Sequence, residues 1–234
     1  MAESTHVTSA VTTSVRLRSF ASEFIGTLVL VMVVVGSGIM GTRISRDTGI
    51  ALGLNAASTV LALGLLIWLL APASGAHFNP VVSAAMVWRG DLPLRDLGPY
   101  VVSQSAGAIA GAGLANLMYG ATAFEVSATH RDGTGVLIGE VVATAGLLWV
   151  ICSFIDRGAG GWIPVAVPAW IGSAYLFTSS TSFANPAVTV GRIFSDSFAG
   201  IAPASVPAFA IAQCIGAGIG IAAARFTTVK ESVT

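Results

Sequence analysis

Two Asn-Pro pairs, Asn79-Pro80 and Asn185-Pro186, stand out in a chain of 234 residues that is 54% hydrophobic and only 9% charged. Proline has no backbone N–H and fits the first turn of a helix, and asparagine is a good N-cap, so each pair starts a helix. The apolar stretches that follow, Val81 to Val87 and Ala187 to Phe194, are too short to cross a bilayer. Half-helices that begin in mid-membrane are tolerated only where the irregular backbone lines a protein cavity or water. Two of them entering from opposite sides meet at their N-termini, each carrying partial positive charge. The carboxamides of Asn79 and Asn185 cap those turns and still have N–H donors to offer a lumen. This chemistry holds and orients a solute without breaking bonds. No His, Cys and carboxylate cluster has metal-ligand spacing, and no nucleophile motif stands out. The glycine-rich stretches lie inside helices rather than after strands, where a phosphate loop would need them. The reading is therefore not an enzyme, with no cofactor and no metal.

The elements that position the two pairs follow from where the charges are missing. Uncharged or nearly uncharged runs cover 24–42, 48–76, 97–124, 133–155 (with Glu140 alone), 158–191 and 202–224. A soluble domain usually has about 25% charged residues, and a spanning helix needs roughly 20 apolar ones. Six spans fit the six runs, and an Asn-Pro pair falls just after the second run and inside the fifth. The expected fold is an all-α membrane protein of six transmembrane helices plus two re-entrant half-helices. A Ser-, Thr- and Ala-rich tail is expected over 1–18 and a second tail over 226–234, flanking a membrane domain at 19–225. With both ends inside, seven of the eleven basic residues fall on the cytoplasmic side. Arg43, Arg46, Arg131 and Arg192 lie outside. A net charge of zero gives no case for nucleic acid as a partner; the lipid bilayer is the expected one. Cys152 and Cys214 sit in apolar runs and read as small buried hydrophobes. His77, just ahead of Asn79, reads as a loop contact in preference to a pH sensor.

The halves read alike. Glu23 opens the first span and Glu140 the fourth. Phe78-Asn79-Pro80-Val81-Val82 matches Ala184-Asn185-Pro186-Ala187-Val188, and Gln104-Ser105-Ala106-Gly107-Ala108 matches Gln213-Cys214-Ile215-Gly216-Ala217. Repeat 1 covers about 19–120 and repeat 2 about 134–225. Three spans per repeat is an odd number, so the second copy enters with opposite topology, an arrangement that places a shared site near the midplane. Gly107 and Gly111 are four apart, as are Gly216 and Gly220, a spacing that lets helix backbones approach closely in lipid.

The segments around Glu23, Ser74 to Ala84 with its His77 and Asn79-Pro80, Gln104, Glu140, and Phe183 to Gly191 resemble the major intrinsic protein family of aquaporins and glycerol channels. The resemblance covers about 20–225. It implies a homotetramer with a pore in each protomer and small neutral solutes as permeants. It implies that Glu23 and Glu140 are structural carboxylates accepting hydrogen bonds from the re-entrant loops. Both termini would lie in the cytoplasm, the chain sitting in the plasma (inner) membrane.

Two departures from the family pattern matter. The first motif is Asn-Pro-Val, with Val81 where alanine is usual. The position after Asn185-Pro186-Ala187 is Val188, where the family usually has arginine. Family offsets place the other constriction residues at Thr59, Ser173 and Ser182. The expected selectivity filter is thus Thr59, Ser173, Ser182 and Val188, a wide and uncharged ring without aromatics. Such a ring suits a neutral hydroxylated solute larger than water, and by itself it suits arsenous acid, glycerol, other polyols and urea alike, with water as a further permeant. The resemblance to bacterial family members that lack this arginine and are associated with arsenic handling implies arsenous acid as the leading one. A strict water channel, an ion-coupled transporter and a pore-closed scaffold of the same fold are the alternatives.

Overall fold

The computed structural model describes the backbone of residues 2–227 and the side chains of residues 14–227. The first half forms α1 (Ala2–Ile44), α2 (Thr48–Ser74), the short α3 (Pro80–Arg89) and α4 (Leu94–Met118). The second half repeats the order: α5 (Thr134–Asp156), α6 (Ile163–Phe177), the short α7 (Pro186–Gly191) and α8 (Val206–Thr227). α1 packs on α4 and α2, and α5 packs on α8 and α6, while α2 against α6 joins the halves.

Five helical segments are long and apolar enough to cross a bilayer: Ser14–Ile44, Thr48–Ser74, Leu94–Met118, Thr134–Asp156 and Pro203–Thr227. The span expected within 158–191 is divided. α6 has 15 residues, about 22 Å of helix, and it is preceded by a 3-10 turn at Gly160–Trp162. The rest of that stretch is needed for the return loop and for α7, so one long uncharged run serves a short helix, a loop and a half-helix.

At the N-terminal end the structure departs from the tail expected over 1–18. α1 is continuous from Ala2, and no glycine or proline interrupts the chain before Gly26. Arg16 donates to the Asp96 carboxylate and so ties this part of α1 to the start of α4. Of the tail expected over 226–234, Phe226 and Thr227 are still helical, and 228–234 lie outside the described residues.

Outward-facing apolar rows match a lipid environment. Leu61, Leu65, Trp68 and Leu69 on α2, and Ile211, Ile215 and Ile219 on α8, are all at least half exposed. Rows of this size on a soluble monomer would be an aggregation hazard. In hydrocarbon, or against a neighbouring protomer, they carry no such penalty.

Candidate functional site

α3 and α7 meet head to head at their N-termini. Asn79 caps α3 through Oδ1, which accepts from the Val81 N–H at 3.1 Å. Asn185 caps α7 by accepting from Ala187 at 2.9 Å and Val188 at 3.2 Å. The remaining amide group of each then crosses the junction. Asn79 Nδ2 donates to the Ala184 carbonyl at 2.7 Å, and Asn185 Nδ2 donates to the Phe78 carbonyl at 2.7 Å. Each Nδ2 has two hydrogens, so one stays available for the lumen that both residues border.

The loops leading into these caps are unusual backbone. Ala76 and Phe78 have φ of 52° and 50°, and Ser182 and Ala184, at the same offsets from Asn185, have φ of 51° and 49°. Left-handed conformation at a non-glycine residue costs about 1–2 kcal/mol and persists only where the surroundings hold it. The buried carboxylates do the holding. Glu23 accepts from the N–H of His77 at 2.9 Å and of Phe78 at 2.6 Å, and from Ser74 Oγ and Gln104 Nε2. Glu140 accepts from the N–H of Phe183 at 2.8 Å and of Ala184 at 2.9 Å, and from Gln213 Nε2. The glutamines extend the pattern, since Gln104 also donates to Ser83 Oγ and Gln213 to Thr189 Oγ1. Ser83 and Thr189 in turn donate to the carbonyls of Asn79 and Asn185. A carboxylate in the membrane needs this many donors to be tolerable at all.

A cavity of about 440 Å³ runs past the junction. Because the half-helices point away from the junction, the cavity's two ends are marked by residues beyond their C-termini, Asp91 and Arg192. On the α3 side its wall includes Ile67, His77, Val82, Met86, Ile155 and Ile163, and His77 Nδ1 sits 3.1 Å from Ser83 Oγ. On the α7 side it includes Thr59, Tyr175, Ser182, Phe183 and Val188. Val81 and Ala187 are buried in the apolar core instead.

Three of the four expected filter residues, Thr59, Ser182 and Val188, border this cavity together. Ser173 does not: it is exposed on the outer face of α6. The helix sends Val167, Ile171 and Tyr175 inward at four-residue intervals, and Ser173 is two residues, about 200°, round from Ile171. The inward residue nearest the expected ring is Tyr175, whose hydroxyl lies 3.5 Å from Thr59 Oγ1. The expected absence of aromatics and charge is therefore corrected as well. Tyr175, Phe183 and Arg192 all border the same end of the cavity. A helical-wheel count along α6 contained the signal for Tyr175.

The position of Ser182 gives a direct test. Neither native thiol borders the cavity: Cys152 is buried beside Arg89 and Asp156, and Cys214 is exposed on α8. A cysteine at 182 would place a thiol in the lumen without adding bulk. Mercurials are expected to leave the wild type essentially unaffected and to cut the flux of Ser182→Cys about tenfold or more, reversed by a reducing thiol. Stopped-flow permeability of reconstituted vesicles measures both.

Comparison with known proteins agrees with this fold. The family model described as Major intrinsic protein matches residues 10–183. The aquaglyceroporin AqpS of Rhizobium meliloti is 43% identical over 211 residues, covering 89% of each chain. Aquaporin Z of Brucella melitensis is 30% identical over 224 residues, covering 87% of this chain and 95% of its own. The crystal structure of the aquaglyceroporin from Plasmodium falciparum superposes with a TM-score of 0.71 at 22% identity, over 90% of this chain and 95% of that one, a likeness of fold. The chain belongs to the major intrinsic protein family, whose members are passive membrane channels and not enzymes.

Proposed function

We propose that this channel conducts neutral hydroxylated solutes larger than water, with arsenous acid and glycerol as the leading permeants and water as a companion. The observation that carries the reading is the wall beyond the Asn79–Asn185 junction. There Thr59, Tyr175 and Ser182 contribute hydroxyls, and Val188 contributes only a small apolar surface at the position after the second motif. A solute bearing several O–H groups exchanges its water shell for such hydroxyls, while the apolar face accommodates its carbon or metalloid side. The 43% identity to a protein named as an aquaglyceroporin points the same way. In this reading Asn79 and Asn185 orient the permeant at the midplane, Pro80 and Pro186 start the half-helices, and Glu23 and Glu140 hold the loops. Four protomers with their outward apolar rows in contact form a homotetramer in the inner membrane, with both termini in the cytoplasm.

The test is a solute panel in proteoliposomes. Glycerol and arsenous acid are expected to enter at least about tenfold faster than through protein-free vesicles, with no change when a proton gradient is imposed or dissipated. Water passage without glycerol or arsenous acid would replace this reading with a strict water channel. Uptake that collapses with the gradient would replace it with a coupled transporter.

A further inference from the structure

We propose that Arg192, reaching in from one helical turn beyond Val188, supplies the fixed positive charge and the hydrogen-bond donor of the outer constriction. It favours oxygen-bearing neutral solutes and excludes cations. The proposal rests on the channel reading above and names the residue that sets its selectivity.

Position 188 carries a side chain with neither charge nor donor. Residues four apart on a helix lie on one face, about 6 Å along the axis, and both Val188 and Arg192 border the cavity. Arg192 is only 2% exposed. Its guanidinium carbon sits 3.3 Å from the centroid of the Phe183 ring, and Phe183 is itself fixed by the bond from its N–H to Glu140. Nε donates to the Ala199 carbonyl. The head group is thus held between an aromatic face and a backbone carbonyl, as a selective site requires.

The remaining donors point to a ligand. Arg192 Nη1 is buried and has no hydrogen-bond partner among the described residues, and the same is true of Ser182 Oγ on the wall of the same cavity. Buried polar groups in native proteins are almost always hydrogen-bonded. One guanidinium nitrogen and one hydroxyl, both buried and unpaired beside the lumen, are groups that a solute in the pore can satisfy, and a molecule with two or more oxygens can meet both.

The charge is also uncompensated. Among the described residues no ion pair includes Arg192 or Arg131. The Arg131 guanidinium lies 5.0 Å from the centroid of the same Phe183 ring and donates to the carbonyls of Gly200 and Phe198. Glu140 spends its carboxylate on Phe183, Ala184 and Gln213. A cation approaching this end meets two fixed positive charges within low-dielectric walls, whereas a neutral solute meets only donors.

The experiment compares wild type, Arg192→Gln and Arg192→Lys, reconstituted at matched oligomer levels. It reads potassium conductance in planar bilayers and the glycerol-to-water permeability ratio in vesicles. The wild type is expected to exclude potassium. Arg192→Gln should raise potassium conductance about tenfold or more and change the glycerol-to-water ratio. Arg192→Lys should keep the exclusion and change only the ratio, because lysine retains the charge but not the planar fork. Adding Val188→Arg to the Gln variant should restore exclusion. A potassium-conducting wild type overturns the proposal without any variant. So does a well-folded Gln variant with both readouts unchanged, and if that variant fails to assemble, an unchanged ratio in the Lys variant does the same. A wild type that passes neither glycerol nor water would instead overturn the channel reading.

Discussion

Asn185→Leu is expected to abolish solute flux, with the protein at best partly assembled. Leucine keeps the branched four-atom outline of asparagine but is bulkier and has neither donor nor acceptor, so the loss is chemical as well as steric. The variant removes the acceptor for the N–H groups of Ala187 and Val188 and the donor to the Phe78 carbonyl. Losing an N-cap costs about 1 kcal/mol. Each buried polar group left without a partner adds about 1–3 kcal/mol, and no water reaches this depth except through the pore itself. The Phe78 carbonyl belongs to the strained loop that carries Asn79, so damage spreads to the other half-helix. Asn185→Asp separates structure from passage: it keeps the capping oxygen and removes the donor while adding negative charge. It is expected to assemble and still to lose at least about tenfold in glycerol flux. Flux and oligomer state measured on the same preparations decide the matter. Normal flux in a normally assembled Asn185→Leu would mean that the junction does not line the path.

The repeat was legible because both halves solve one physical problem with the same residues. A half-helix in lipid must have a cap, a start, a held loop and a close neighbour. Asn-Pro, the glutamate and the Gln-x-x-Gly-Ala string meet those needs twice, at matched positions. In space those strings become matched bonds, from Glu23 to His77 and Phe78 and from Glu140 to Phe183 and Ala184. The constriction was less legible, because its residues come from elements with no such string. On α6 only the helical phase decides which side chain faces inward. A family offset counted from Asn185 gave Ser173, while the phase set by Val167 and Ile171 gives Tyr175. Arg192 was hidden for a related reason. Counting charges for topology placed it outside, and nothing in one dimension says that a residue just past a six-residue helix turns back over Phe183. The division of the fifth run was marked by its excess length and by Asn185-Pro186 inside it, whereas the short 15-residue α6 was not, and the helical start of the chain was hidden by its polar composition.

The close crossings of α1 with α4 and of α5 with α8 carry the second large effect. Gly111→Val and Gly220→Val are each expected to prevent accumulation of folded protein in the membrane. A Cβ at Gly111 would lie 2.2 Å from the Leu28 carbonyl oxygen, and one at Gly220 would lie 2.1 Å from that of Ala145. Gly107 and Gly216 meet the carbonyls of Phe24 and Val141 at 2.3 and 2.5 Å in the same way. The atom met is backbone in every case, so no rotamer change relieves the clash and the helices must separate. Separation costs more than the few contacts at the glycine. Glu23 and Gln104 sit on the facing helices one turn before the Gly107 contact and two before that of Gly111, and are joined at 2.8 Å, as Glu140 and Gln213 are at 2.6 Å at the matching place in the other crossing. Widening either crossing therefore pulls on the carboxylate that holds a re-entrant loop. Overpacking alone costs about 1–3 kcal/mol, and breaking a buried charge network adds about 3–5 kcal/mol, together a large share of a typical stability of 5–15 kcal/mol. Gly218→Ala is the matched control, two residues from Gly220 on α8 with nothing within 4 Å of its Cβ position. It should express and melt like the wild type. Detergent-solubilised yield and thermal melting of the three variants measure this, and a Gly220→Val protein that melts like Gly218→Ala would show that the α5–α8 crossing is looser than its backbone distances require.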